Sequence, residues 1–196
     1  HERVRIVELG AGFRKSGATV TETELISGLG VGPRLPEQWG SGPGATVDFF
    51  DTKADVMALL ASTGDLAGFE FRPASVACLH PGRTAEILRH GRRVGLVGEL
   101  HPRLARELEI TGSPILFELE IQPALKRRLA AFAEISRFPS VRRDLAVVVD
   151  ENVALSALRE RVVLSASSLL REFLVFDLYR GPGIETGRKS IALGLI

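Results

Sequence analysis

Residues 137–150 read Arg-Phe-Pro-Ser-Val-Arg-Arg-Asp-Leu-Ala-Val-Val-Val-Asp, and a helical pattern follows them. Two further stretches come after that helix, Phe-Asp-Leu-Tyr-Arg-Gly at 176–181 and Arg-Lys-Ser-Ile-Ala-Leu at 188–193. Each of the three contains an apolar or alternating run of strand length, bounded by charged residues or glycine. This order predicts a β-α-β-β unit over residues 137–196.

Successive side chains of a strand point to opposite faces of a sheet, which sorts the three predicted strands into two faces. The apolar face collects Leu145, Val147, Val149, Phe176, Leu178, Ile191, Leu193 and Leu195. The opposite face, called the open face below, collects Ala146, Val148, Asp177, Tyr179, Ser190, Ala192 and Gly194. The second set is small and polar with a single aromatic ring, so we expect the apolar face to be packed.

One apolar stripe runs along the helix between the first two strands. Its residues recur at steps of three and four: Leu155, Leu158, Val162, Ala166 and Leu169. A single stripe covers only one face of the sheet. The open face then remains a platform with an aromatic ring, hydrogen-bonding groups and flanking arginines. Single-stranded RNA is bound on such surfaces by base stacking and base-edge hydrogen bonds.

Three motifs in this region match a family. They are Phe-Pro-Ser-Val-Arg-Arg-Asp-Leu-Ala at 138–146, Phe-Asp-x-Tyr-x-Gly at 176–181 and Lys-Ser-x-Ala at 189–192. In their order and spacing they resemble the ferredoxin-fold anticodon-binding domain, which ends the β subunit of bacterial phenylalanine–tRNA ligases. The resemblance implies a ferredoxin-like fold that binds a tRNA anticodon.

The resemblance also implies roles for single residues. Tyr179 corresponds to a tyrosine that stacks on an anticodon base, and Asp177, Ser190 and Ala146 fall at positions that contact anticodon bases. Strand parity independently places all four on the open face. The basic residues near the strand ends are candidates for contact with the tRNA backbone: Arg142, Arg143, Arg180, Arg188 and Lys189. For each of these, a surface salt bridge is the alternative interpretation.

The composition fits an ordinary globular protein of one large or two small domains, with 196 residues, 45% hydrophobic and 25% charged. The formal net charge is +1, yet residues 126–196 carry 12 Lys and Arg against 8 Asp and Glu. A mildly basic C-terminal part suits contact with phosphates. The single cysteine, Cys78, cannot form an internal disulfide and is interpreted as a small core residue. No apolar run approaches the length of a membrane span.

Residues 1–125 show alternating strand patterns, glycine-containing turns and short helices, which predict a largely antiparallel sheet. Three motifs resemble the catalytic-like core of the same β subunit, whose fold is shared with class II synthetases. They are Val-Asp-Phe-Phe-Asp-x-Lys at 47–53, His-Pro-Gly-Arg at 80–83 and Gly-x-x-Gly-Glu-x-His-Pro at 95–102.

The predicted fold class is α+β. A class II synthetase-like antiparallel sheet domain is expected over 1–125, a linker over 126–136 and a ferredoxin-like β-α-β-β domain over 137–196. The family's domain continues with a second helix and a fourth strand. We therefore expect either a truncated chain or a partner that covers the exposed sheet edge. The chain also lacks an initiator methionine and begins inside a strand-like segment, so we interpret it as a fragment.

The first domain is predicted to contain no catalytic residue. Class II catalytic domains hold ATP phosphates with two arginines, whose charge stabilises the transition state. Arg14 lies in a place loosely similar to that of the first of these arginines. The glutamate that accompanies this arginine in class II domains is missing here, because Lys15 follows Arg14. The residues after Gly98 contain no arginine in the expected place.

No metal site is predicted either. Of the four histidines, His80, His90 and His101 are ten and eleven residues apart, so they lack the close spacing of a helical zinc site. The aspartates at 48, 51 and 55 are interpreted as capping and helix-start charges, with Asp51 or Thr52 as the N-cap.

The resemblance implies a cytoplasmic β subunit that packs on a catalytic α subunit, in a heterotetramer of two α and two β chains, and binds tRNA(Phe). ATP and magnesium would serve the intact enzyme, with the magnesium ligands upstream of His1. One alternative is a stand-alone ferredoxin-like RNA-binding module without synthetase activity. A single-chain synthetase would need the ATP-binding arginines. A small-molecule regulatory domain does not predict Tyr179 and Ser190 on an exposed face.

Overall fold

The computed structural model describes residues 2–39, 44–129, 132, 137–166 and 169–196. Contacts between Cα atoms divide the chain into two compact units, His1–Ala131 and Phe132–Ile196. Of the predicted linker over 126–136, residues 130, 131 and 133–136 lie outside the described part. Each unit is built around its own antiparallel sheet, which confirms the predicted α+β class.

Six strands form the sheet of the first unit across its described residues. They are β1 (Val4–Ser16), β2 (Thr19–Val31), β3 (Phe69–Pro73), β4 (Leu79–Arg89), β5 (Arg92–Leu100) and β6 (Ile115–Glu120). Their order is β1-β2-β6-β5-β4-β3, and every neighbouring pair is antiparallel. The turn between β1 and β2 contains Gly17 at φ 61°, a left-handed conformation that glycine adopts without a steric penalty.

Three α-helices accompany this sheet in the described residues: α1 (Phe49–Ala61), α2 (Pro102–Glu107) and α3 (Ile121–Leu125). The prediction that Asp51 or Thr52 caps α1 is wrong. Asp48 is the N-cap, because its Oδ1 accepts from the backbone N–H of Asp51 at 2.9 Å while Asp51 Oδ2 accepts from the backbone N–H of Asp48 at 3.0 Å. None of the described helices is long and apolar enough to cross a membrane.

The core of the first unit joins α1 and α3 to the sheet. Its buried members are Val47, Val56, Leu60, Ala85, Ile87, Val94, Val97, Ile115, Phe117, Leu119 and Ala124. Cys78 is not among them, and the prediction that it is a core residue is wrong, because its side chain is exposed in the loop before β4.

Asp65 ties three parts of the first unit together after the end of α1. Its carboxylate, 7% exposed, accepts from Arg89 Nη2 at 3.1 Å and lies 2.8 Å from His90 Nε2. Arg128 adds a longer contact at 3.5 Å, and its backbone N–H donates to the carbonyl of Thr63 at 2.7 Å. This network fixes the segment around Arg128 to the body of the first unit.

We expect the first unit to lose stability in acid partly through this carboxylate. Hydrogen bonds from His90 and Arg89 hold the pKa of Asp65 below its usual value of 3.8. The folded state therefore favours the charged form. Its contribution is complete above the unfolded pKa and disappears as pH falls below about 4, towards the lowered folded value.

Urea midpoints measured for wild type and Asp65→Asn across pH 3–7 check this expectation. The wild-type midpoint should fall more steeply below about pH 4 than that of the variant, which has no proton to bind at this position. Parallel pH profiles would assign the acid sensitivity to other carboxylates.

The second unit has the order strand, helix, strand, strand that its sequence predicts. Its elements are β7 (Arg143–Asp150), α4 (Leu155–Ala166), β8 (Phe173–Tyr179) and β9 (Arg188–Leu195). The sheet order is β7-β9-β8, with both pairs antiparallel. Residues of all three strands therefore meet across the central strand β9.

The register separates the two faces as the strand parity predicts, with one exception. On the apolar face Leu145 pairs with Leu193 and Val147 pairs with Ile191. The two β9 residues are buried, at 2% and 4% exposure. Phe176 is the exception, because a register shift between Val175 and Asp177 makes it an extra residue of β8.

The predicted stripe of α4 is only partly packed. Its half-buried residues, Leu158, Val162 and Ala166, lie at four-residue steps along one side of the helix. Leu155 is 43% exposed, and Leu169, at 83%, lies beyond the end of α4. The stripe is therefore shorter than the pattern predicts.

Candidate nucleic-acid interface

Two cross-strand rows bring the four predicted base-contacting residues together. One row is Ala146, Ala192 and Asp177, and the next is Val148, Ser190 and Tyr179. Neighbouring strands lie about 4.8 Å apart, and residues two apart along a strand are separated by about 7 Å. Ala146, Asp177, Tyr179 and Ser190 therefore share one small area of the open face.

The ring of Tyr179 is 44% exposed at the end of β8. Its hydroxyl donates to the carbonyl of Pro182 at 3.0 Å. A Cβ at Gly181 would lie 2.7 Å from the tyrosine Oη and 2.9 Å from its Cζ. The missing side chain of Gly181 thus makes the room in which the tyrosine ring lies.

We expect Gly181→Ala to displace the ring of Tyr179 without unfolding the second unit, because the clash falls on the far end of an exposed side chain. If the ring stacks on a base, tRNA binding should weaken by part of the about 5- to 150-fold that stacking on one base is worth. Equilibrium tRNA binding and circular dichroism of the variant measure the two effects. The double variant with Tyr179→Ala should bind no more weakly than Tyr179→Ala alone.

Asp177 and Ser190, the polar residues beside this ring, differ in whether their side chains already accept or donate hydrogen bonds within the protein. Asp177 Oδ1 accepts from the backbone N–H of Leu178 at 2.8 Å and keeps its other oxygen for a ligand. No hydrogen bond of the Ser190 hydroxyl is found within the described part of the chain. A hydroxyl that donates or accepts and a carboxylate that accepts are suited to the edges of bases.

The strand register places the basic residues that were predicted to contact the tRNA backbone on different faces and at different ends of the sheet. Arg142 and Arg188 lie on the open face at opposite ends, beside Gly194 and Asp150 respectively. Arg143 pairs with Leu195 in the register and belongs to the apolar face, as does Lys189. The structure therefore does not bring all the basic candidates together.

Most of these basic side chains form ion pairs or hydrogen bonds with acidic neighbours. Arg180 donates to both carboxylate oxygens of Glu151, the shortest contact being 2.6 Å, and Lys189 Nζ donates to the carbonyl of the same residue. The hydrogen bond from Arg180 lowers the pKa of Glu151. Arg188 contacts Asp150 and Glu185, both at 3.4 Å. A phosphate that binds here must compete with these exposed ion pairs, each worth little in water.

A cavity of about 640 Å³ lies in the first unit, beside the start of α1 and the strands β3–β6. Its charged groups are occupied by the protein itself. Arg83 donates to Glu99 at 2.6 Å, and the ammonium of Lys53 lies 4.8 Å from the ring centroid of Phe71, where burial lowers the pKa of the lysine. Among the described residues, no three His, Cys, Asp or Glu side chains are grouped to hold a metal ion.

Family models match both units. Residues 1–121 match the phenylalanyl-tRNA synthetase beta chain CLM domain, and residues 136–196 match the ferredoxin-fold anticodon binding domain. This chain belongs to the phenylalanyl-tRNA synthetase β-chain family. The resemblance inferred from the sequence motifs is thereby confirmed for both parts of the chain.

Relatives in this β-chain family match the chain almost end to end. It is 43% identical over 194 residues to a phenylalanine–tRNA ligase beta subunit from Pseudomonas syringae pv. tomato. Identity is 45% over 197 residues for that of Xanthomonas euvesicatoria pv. vesicatoria, and 44% over 194 residues for that of Methylococcus capsulatus. Each match covers 99% of this chain and 24% of the relative, so the chain spans about a quarter of the length of these β chains.

Strand parity correctly predicted that Tyr179 lies on the open face, but it missed the contact between Arg142 and Phe176. The guanidinium lies 5.2 Å from the ring centroid of Phe176, which parity assigns to the apolar face. The only signal in the sequence was the proximity of Arg142 and Asp144, whose side chains point to one face of an extended strand.

Proposed function

We propose that this chain is part of a phenylalanine–tRNA ligase β subunit and that its second unit binds the anticodon of tRNA(Phe). The observation that carries the proposal is the register of β7, β9 and β8, which places Ala146, Asp177, Tyr179 and Ser190 side by side on an exposed face. Family membership supplies the ligand, because a matched domain of this family binds anticodons.

The chemistry of the four residues suits single-stranded bases. The tyrosine ring offers a stacking surface, worth about 1–3 kcal/mol per base. Asp177 accepts hydrogen bonds and so favours a base edge that presents N–H donors, while Ser190 adapts to either kind of edge. Ala146 and Ala192 are small enough to let a base lie close to the sheet.

The rest of the proposed activity belongs to the assembled enzyme. ATP-dependent attachment of phenylalanine to tRNA would occur on an α subunit, in a cytoplasmic heterotetramer of two α and two β chains. The first unit would pack on that catalytic subunit and help to position the tRNA. ATP and magnesium are assigned to the intact enzyme.

The test is aminoacylation by the full-length β chain coexpressed with its α subunit. We expect phenylalanine to be attached to tRNA(Phe), and base substitutions in the anticodon to raise the KM for tRNA while amino-acid activation is unchanged. A β chain that purifies without an α subunit, binds RNA and supports no charging would favour the stand-alone RNA-binding module instead.

A further inference from the structure

An aromatic–cation pair lies at the end of the open face opposite to Tyr179. Phe176 is the extra residue of β8, and its ring is 53% exposed. The Cζ atom of Arg142 lies 5.2 Å from the centroid of this ring. A guanidinium at this distance is attracted to the aromatic face.

Two further contacts hold the guanidinium on the sheet. Arg142 Nε donates to Asp144 Oδ1 at 2.7 Å, and Asp144 pairs with Gly194 of the central strand. A Cβ at Gly194 would lie 3.2 Å from both Nε and Nη2 of Arg142. The arginine therefore lies against bare backbone, where most other residues would crowd it.

The distance between this pair and Tyr179 leaves room for more than one nucleotide on the open face. Tyr179 pairs with Ser190, and Gly194, which lies under Arg142, is four residues further along β9, about 13 Å away. Phe176 is nearer, three residues from Tyr179 along β8, at most about 10 Å. Between the two ends lie the small side chains of Ala146 and Ala192. Sheets that bind single-stranded RNA stack two or three bases on one face, so a floor of this length with a stacking group at either end fits more than one nucleotide.

We propose that Arg142 and Phe176, held by Asp144 over Gly194, form a second stacking position for a base of the same RNA strand. The proposal rests on the proposed anticodon-binding function and extends it from one stacked base to at least two. Stacking on a guanidinium or a phenyl ring tolerates every base, because each base has a π face. The position would hold the strand without selecting its sequence.

Equilibrium binding of tRNA(Phe) to the α–β complex, measured over a range of salt concentrations, tests the proposal. The variants are Arg142→Gln, Arg142→Lys, Phe176→Leu and Tyr179→Ala. Arg161→Gln is the matched control, since it removes one arginine charge from an exposed position of α4. We expect Arg142→Gln and Phe176→Leu each to weaken binding by about 5-fold or more, with the control unchanged.

Three readouts separate stacking from mere charge. Arg142→Lys should bind as weakly as Arg142→Gln, because lysine keeps the charge but lacks the planar group. The double variant Arg142→Gln with Phe176→Leu should lose little more than either single variant. The slope of log Kd against log salt should stay at its wild-type value for Arg142→Gln, for Arg142→Lys and for the double variant.

The opposite results have distinct meanings. Rescue by lysine, together with a salt slope smaller by about one for Arg142→Gln, would overturn the stacking position in favour of a phosphate contact. Unchanged binding in the Arg142 and Phe176 variants, with Tyr179→Ala weakened, would overturn this inference and leave the proposed function standing. Unchanged binding in all variants would reject the open face itself as the anticodon site.

Discussion

Tyr179→Ala is expected to raise the KM for tRNA about 5- to 150-fold, because stacking on one base is worth about 1–3 kcal/mol. The ring is 44% exposed at the end of β8, so its removal leaves no cavity and should not unfold the second unit. Amino-acid activation should be unchanged, since it would take place at the α subunit. Aminoacylation and pyrophosphate exchange by the α–β complex measure the two quantities separately.

Tyr179→Phe is the control for this substitution. It keeps the stacking ring and removes the hydroxyl, whose hydrogen bond to Pro182 orients the side chain. Its KM should therefore stay much closer to wild type than that of Tyr179→Ala. Equal losses in both variants would assign the effect to the hydroxyl, and an unchanged KM in Tyr179→Ala would remove this residue from tRNA recognition.

Strand parity predicted the faces of β7 and β9 because the two-residue repeat of a strand is a steric rule. Once the face of a residue on one strand is known, the residue paired with it on the neighbouring strand lies on the same face, as in the pairs Leu145–Leu193 and Val147–Ile191. The same rule placed Asp177 and Tyr179 together on β8. This part of the fold and of the candidate site was accessible from the sequence.

Parity failed at Phe176 because an extra residue shifts the register of one strand, and no residue type in the stretch signals such a bulge. The local ion pair of Arg142 with Asp144 follows from their spacing along an extended strand, but the pairs between distant residues were inaccessible for another reason. Arg180 binds Glu151, 29 positions away in the sequence, and long flexible side chains choose such partners from the folded surface. The spacing of charges in the sequence does not contain that information.

The capping error at α1 has a local cause. Asp48, Asp51 and Thr52 are all acceptable N-cap residues. Thr52 also has an aspartate three residues later, Asp55, so the spacing alone does not decide between them. The choice depends on where the extended backbone ends, and the reciprocal cap forms between Asp48 and Asp51.

Leu119→Ala is expected to destabilise the first unit by about 2–5 kcal/mol, the usual cost of such a truncation in a core. Leu119 has no exposed surface and pairs with Ile26 of β2 on one side and Gly95 of β5 on the other. A Cβ at Gly95 would lie 2.6 Å from Leu119 Cδ2, so the leucine fills the space that the glycine leaves. Truncation would leave that space empty.

The cavity cannot be refilled from the opposite strand. A Cβ at Gly95 would also lie 2.3 Å from the carbonyl oxygen of Glu118, which is backbone and cannot move aside cheaply. Gly95→Ala should therefore add to the loss in Leu119→Ala instead of rescuing it. Urea unfolding, combined with hydrogen exchange at the amides of β5 and β6, measures the effect on this unit alone.

Leu108→Ala is the control: Leu108 is 62% exposed, and the substitution should cost less than about 0.5 kcal/mol. Similar losses in the two leucine variants would contradict a core centred on β5 and β6, since the cost would then not depend on burial.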